Sequence, residues 1–130
     1  MSNIAKDIED FEPKQGSWMA LDSLVGNLNG LTPEVISACL GIFEKYPEED
    51  GEGVFFTIIH TLEHFGGYEE ALAASVLKKP NQWNVLMLNR MLNVGIDASS
   101  KYTIHELLTH VQCNSLASVE LRETAKEYLG

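Results

Sequence analysis

Apolar positions recur along the chain at three- and four-residue spacing and are interrupted by Gly and Pro, the mark of short amphipathic helices joined by turns. Residues 1–15 hold few large apolar groups and many charges, which predicts an acidic arm or a short helix. Trp18, Leu21, Leu24, Val25 and Leu28 form one stripe and predict a helix from about Ser17 to Leu28, with Gly30 beyond its end. The second helix has the clearest start. Thr32 is a good N-cap, Pro33 suits the first helical position, and Glu34 faces the positive end of the helix dipole. Its buried face is Val35, Ile36, Cys39, Leu40 and Phe43, and Pro47 stops it near Tyr46. Further helices are predicted from Glu52 or Val54 to Phe65, from Tyr68 to about Lys79, and from about Gln82 to Val94. Another opens at the capping box Thr103–Glu106, and a last one carries Ala117, Leu121, Ala125 and Tyr128. No segment alternates with period two. The chain is therefore predicted to be all-α, six to seven short helices in a single domain over residues 1–130. Short turns favour antiparallel hairpins, which can stack as a short α-solenoid, although no clean sequence repeat accompanies them.

The helix from Gln82 is apolar nearly all round. Trp83, Leu86, Met87, Met91 and Val94 cover one face, and Val85, Leu88 and Leu92 much of the other, as expected of a central, buried helix. Arg90 projects within that apolar surface and needs a carboxylate or several carbonyls unless its head snorkels to water. Glu63 falls at the margin of the apolar arc formed by Val54, Phe55, Ile58, Ile59, Leu62 and Phe65. A structural ion pair between Glu63 and Arg90 is the expectation. Asn89 and Asn93 share the least apolar sector of the same helix.

Charge changes the picture from architecture to function. Nineteen acids against nine bases give a net charge of −10 over 130 residues, of which 45% are hydrophobic. Residues 1–50 hold ten acids and three bases, a net of −7; residues 51–130 hold nine and six, a net of −3. Such a chain repels nucleic acid and anionic membranes and attracts basic partners. No apolar run approaches a membrane span, and the acidic N-terminus is the opposite of a secretory leader. Cys39 and Cys113 both lie in apolar helical patterns, so buried thiols in a cytoplasmic protein are expected rather than a disulfide framework.

One motif points to catalysis. His60-Thr61-Leu62-Glu63-His64 matches the inverted zinc-peptidase pattern H-x-x-E-H, and residues four apart on a helix can share a metal. Glu63, however, lies about 100° from His64 around the helix and heads toward the apolar arc. No acidic residue is marked out as a third ligand, although Glu69, Glu70 and Glu106 are available. His105 and His110 are five apart, off the metal spacing. Gly51-Glu52-Gly53 lacks the third Gly and the Lys of a phosphate loop, and basic residues are too scattered for a nucleic-acid face. No catalytic residue, metal ligand or cofactor is assigned.

From Ile58 to Gly95 the chain carries Ile58-Ile59-His60-Thr61-Leu62-Glu63, then Tyr68-Glu69-Glu70-Ala71-Leu72, Pro80, and Met87-Leu88-Asn89-Arg90-Met91-Leu92-Asn93-Val94-Gly95. This succession resembles small all-helical immunity proteins of bacterial polymorphic-toxin and contact-dependent growth inhibition systems, most specifically at Leu88–Asn93. The resemblance covers under a third of the chain and rests on positions that set the fold, so no interface carries over residue by residue. It implies a cytoplasmic protein that binds and neutralises a cognate toxin, many of which are nucleases with basic active sites. The candidate contact surfaces come from the residues themselves. The first is the acidic loop Glu48, Glu49, Asp50 and Glu52; the second is Tyr68, Glu69 and Glu70, a Tyr anchor beside a charged rim. A helical adaptor or regulatory module is the alternative of a different class.

Breaking a buried ion pair by removing one partner costs about 3–5 kcal/mol. If the pair is fully buried, Arg90→Met is expected to lower the free energy of unfolding by that amount in a urea titration, and by less the more solvent reaches it. Unchanged stability would exclude the Glu63–Arg90 pair.

Overall fold

In the computed structural model, which describes residues 3–99 and 101–130, the described residues form eight α-helices and no strand. The helices are α1 (Ile4–Glu9), α2 (Met19–Gly26), α3 (Pro33–Lys45), α4 (Val54–Phe65), α5 (Glu69–Lys78), α6 (Gln82–Asn93), α7 (Ile104–Gln112) and α8 (Val119–Leu129), with a single 3-10 turn, Gly51–Gly53, leading into α4. The helices gather into two compact units, Met1–Tyr68 and Glu69–Gly130.

In the first unit α1 packs on α2 and α3, α2 on α4, and α3 on α4. The N-terminal arm is thus the short helix among the two expected forms. The Asn3 side chain caps it by accepting from the Lys6 amide (3.2 Å), and Ile8 is its one fully buried residue. Six residues do not hold a helix in water. The Lys45 ammonium on α3 holds this one by donating to the Glu9 carbonyl oxygen at the negative end of its dipole. The exposed Lys6–Asp10 pair at 3.4 Å adds little.

α3 starts as its sequence dictates, with the Thr32 hydroxyl accepting from Val35 N at 3.2 Å and Pro33 in the first turn. All five residues of its predicted face are buried, joined by Ala38 and Ile42. The centre of the unit is aromatic. Trp18 meets Phe11 (ring centroids 5.6 Å), Tyr46 (5.3 Å) and Phe55 (5.4 Å), the last two edge-on, and Phe55 continues to Phe43 (5.3 Å). Each such pair contributes about 0.5–1.5 kcal/mol beyond the area it buries. Trp18 is the residue before the first turn of α2, so the cluster sets where that helix begins. α2 ends at Gly26 with Asn27 as its C-terminal cap, short of the expected Leu28.

In the second unit α7 packs on α5, α6 and α8, and α6 packs on α5 and α8. The nearly all-round apolar character of α6 matches its burial: Trp83, Val85, Met87, Leu88 and Met91 are buried and Leu86 and Leu92 half-buried, while Val94 past its end is exposed. The buried polar residues Ser75, Asn81 and Asn84 join in a network that fixes the α5–α6 turn. The Asn81 side-chain oxygen accepts from Trp83 N (3.0 Å) and Asn84 N (2.9 Å), and Asn84 Oδ1 accepts from Asn81 N (2.9 Å). Asn84 Nδ2 donates to Ser75 Oγ and to the Lys79 carbonyl oxygen, both at 3.1 Å. The Thr103–Glu106 capping box at the start of α7 forms as expected, at 2.9 and 3.0 Å.

Glu63 on α4 and Arg90 on α6 are both half-buried. The two cysteines part company. Cys39 is 1% exposed, and burial pushes its thiol up to about 12. Cys113 corrects the expectation of two buried thiols: it sits one residue past α7, where the apolar stripe has already ended, and is exposed. Only a thiolate attacks a disulfide reagent. One equivalent of thiol per chain is therefore expected to react with Ellman's reagent in the native protein, lost in Cys113→Ser, with the second appearing only on unfolding. Two fast-reacting thiols in the native protein would contradict this burial pattern.

Candidate functional site

The connection between α3 and α4 carries the first expected acidic surface, and backbone chemistry explains its form. Pro47 forbids continuation of α3, and the Glu49 amide turns back to the Tyr46 carbonyl oxygen at 3.1 Å. Asp50 then organises everything after it. Its carbonyl oxygen accepts from Gly53 N (3.1 Å) and Phe55 N (3.3 Å), satisfying donors at the start of α4, and its carboxylate accepts from Glu52 N at 2.9 Å. Three consecutive residues run through the left-handed region: Gly51 at φ 61°, Glu52 at 55° and Gly53 at 93°.

Only glycine fits at position 51. A Cβ there would lie 2.7 Å from Phe55 Cδ1 and 2.8 Å from Phe55 Cε1, and the Phe55 ring is locked in the aromatic cluster with no exposure. Glu52 has no such freedom, and a left-handed non-glycine residue costs on the order of 1 kcal/mol or more. It is held there by the Asp50 carboxylate on one side and by the two glycines on the other. The result is a rigid, strained turn from which Glu48, Glu49, Asp50 and Glu52 all project as exposed residues.

Beside the turn lies an open groove of about 310 Å³. The start of α2 supplies Trp18, Met19 and Asp22; the turn supplies Gly51, Glu52 and Gly53; the first turns of α4 supply Val54 and Thr57. Trp18 and Val54 are 5% and 7% exposed, whereas Met19 is 78% exposed. The groove thus has apolar walls and two exposed carboxylates, Asp22 and Glu52. Of its lining, only Glu52 was expected from the sequence. The missed signal is Met19, a large apolar residue lying off the stripe of Trp18, Leu21 and Val25 and therefore turned away from the core.

The charge asymmetry sharpens when counted by unit. Met1–Tyr68 holds twelve acids and three bases, a net of −9, while Glu69–Gly130 holds seven acids and six bases, a net of −1. Two of the first unit's three bases, Lys6 and Lys45, are engaged around α1.

The second expected surface is divided. Tyr68 closes the first unit and Glu69 opens the second. Tyr68 is 5% exposed, so its ring is not displayed as an aromatic anchor; Glu69 is half-buried and Glu70 exposed. The H-x-x-E-H residues His60 and His64 are exposed on α4, with Glu63 half-buried beside them. Among the described residues no three His, Cys, Asp or Glu side chains are grouped so as to hold a metal ion.

The geometry of the turn makes a contrast between neighbouring positions. Gly51→Ala is expected to destabilise the protein by about 2 kcal/mol or more, from the left-handed backbone and the collision with Phe55. Glu52→Gly, which relieves strain and loses only an exposed side chain, is expected to change stability by less than about 1 kcal/mol. Urea unfolding curves of the two variants decide it, and equal effects would contradict the packing of Gly51. Compared with known proteins, the chain matches no family model, no curated protein and no solved structure.

Proposed function

We propose that this protein binds and neutralises a bacterial toxin domain of basic character, acting by occupancy of the toxin's active site or substrate surface. A single observation carries the reading. The exposed acids of the α3–α4 connection are held by a strained, hydrogen-bonded turn, on the unit that contains nearly all of the excess negative charge. Backbone strain persists where function requires a fixed geometry. A solubilising acidic surface needs no fixed geometry, because flexible acids keep a protein in solution equally well. Carboxylates carried on a held backbone complement the cations that a nuclease directs at phosphate, and they steer the two proteins together.

The groove beside the turn adds the apolar component that a protein interface needs at its centre, with the acids as its charged rim. The resemblance of the Ile58–Gly95 stretch to immunity proteins supports the same direction.

Cells expressing the toxin domain encoded beside this gene are expected to grow when the chain is co-expressed. Growth should fail with the triple variant Glu48→Lys, Glu49→Lys, Glu52→Lys, which leaves Asp50 and the turn in place. Raising ionic strength from about 0.1 M to about 1 M shortens the Debye length from about 10 Å to about 3 Å. The association rate of the purified pair should fall by about tenfold or more over that range. Full protection by the triple variant, or an association rate indifferent to salt, would refute the reading.

A further inference from the structure

We infer that the groove between the start of α2 and the Gly51–Gly53 turn is a socket for one long basic side chain, Arg or Lys, presented by the partner protein. The inference rests on the reading of the protein as a binder of basic partners and specifies what the groove takes.

Lining and charge agree on this occupant. A basic side chain is amphipathic, an aliphatic stem with a cationic head, and it is best received by apolar walls that lead to anionic groups. The groove has that composition. Trp18, Met19 and Val54 provide apolar atoms for a stem, while Asp22 from α2 and Glu52 from the turn provide the carboxylates for a head. Among the described residues no Lys or Arg lines it. A purely apolar occupant would desolvate the two carboxylates with no compensation, which excludes an aliphatic or aromatic anchor. An anionic occupant is excluded by the two carboxylates and by the net charge of −9 on the unit. The high exposure of Met19, at 78%, also has a consequence. Its flexible thioether can close over an inserted stem, which is how methionine adapts to side chains of differing shape. The left-handed backbone of Glu52, held by its amide bond to the Asp50 carboxylate, fixes the point on the turn from which the Glu52 side chain starts.

Acetylated and amidated tetra-arginine tests the socket directly, followed by the indole N–H resonances of the two tryptophans. Trp18 lines the groove, and Trp83 lies on α6 in the other unit. The Trp18 resonance is expected to move and saturate with peptide, while that of Trp83 stays in place. The double variant Asp22→Asn, Glu52→Gln should raise the dissociation constant about tenfold, and Met19→Ala should raise it by a smaller factor. The control Glu9→Gln, Glu34→Gln removes the same number of exposed acids from the same unit, away from the groove, and should change it by less than about twofold. All three variants alter exposed side chains, and unchanged thermal unfolding verifies that they fold. Equal weakening by the two double variants, or peptide binding without movement of the Trp18 indole, overturns the socket and leaves diffuse attraction to a basic partner standing. No binding of tetra-arginine overturns the socket together with the charge-directed reading. A filled socket in a chain that protects against no toxin refutes the proposed function alone.

Discussion

The packing of Trp18 against Phe55 is the constraint on which the candidate site depends. Phe55 belongs to the first turn of α4, and its ring is pinned by Trp18 on one side and Phe43 on the other. Because that ring cannot move, the backbone at residue 51 has no room for a Cβ, and a glycine in left-handed geometry becomes obligatory. Entering α4 from there carries Glu52 and Gly53 through the same region of backbone space. The exposed acids of the connection are thus positioned from the core outward: aromatic packing fixes a glycine, the glycine shapes a turn, and the turn aims carboxylates. The same indole lines the groove beside those carboxylates, so the apolar and anionic parts of the site share one anchor.

Helices whose boundaries are written in local chemistry were legible in the sequence. Thr32-Pro33 and Thr103–Glu106 act through hydrogen bonds spanning three residues, and the structure makes those bonds. The start of α6 at Gln82 is the one the sequence predicts. Its cap is Asn81 paired with Asn84, an arrangement without the Glu or Gln that marks the usual capping box. Asn89 and Asn93 stand out in the sequence, yet the buried asparagines are Asn81 and Asn84, and Asn84 uses its amide to join α6 to Ser75 and Lys79. Boundaries set by tertiary contacts were less legible. α1 is too short to be announced by periodicity and exists because Ile8 is buried and Lys45 reaches its last carbonyls.

The site shows the same division between local and non-local information. That the loop after α3 is acidic is plain from composition, and all four acids are exposed. The left-handed Glu52 was not legible, because Gly-Glu-Gly permits many conformations and the bonds to Asp50 and the packing of Gly51 on Phe55 accompany this one. The groove was not legible either, since its residues come from three segments brought together by the packing of α2 on α4. Tyr68 shows the opposite failure. Its place beside two glutamates suggested an exposed anchor, but a Tyr is mostly apolar surface and this one is buried.

Preorganisation is what separates this acidic surface from a merely charged one. Immobilising a flexible side chain at an interface costs about 0.5–1.5 kcal/mol, and ordering loop backbone costs more. In the α3–α4 connection much of that ordering has already taken place on folding, through the three bonds made by Asp50 and the closure of Gly51 on Phe55. Binding energy from the carboxylates can then appear as affinity instead of being consumed in fixing the loop. The strain at Glu52 is consistent with this economy: a glycine there would relax the backbone, but it would remove the one turn carboxylate that lines the groove. A left-handed glutamate between two glycines is a poor choice for stability, and it places a negative charge on a held turn beside an apolar cleft.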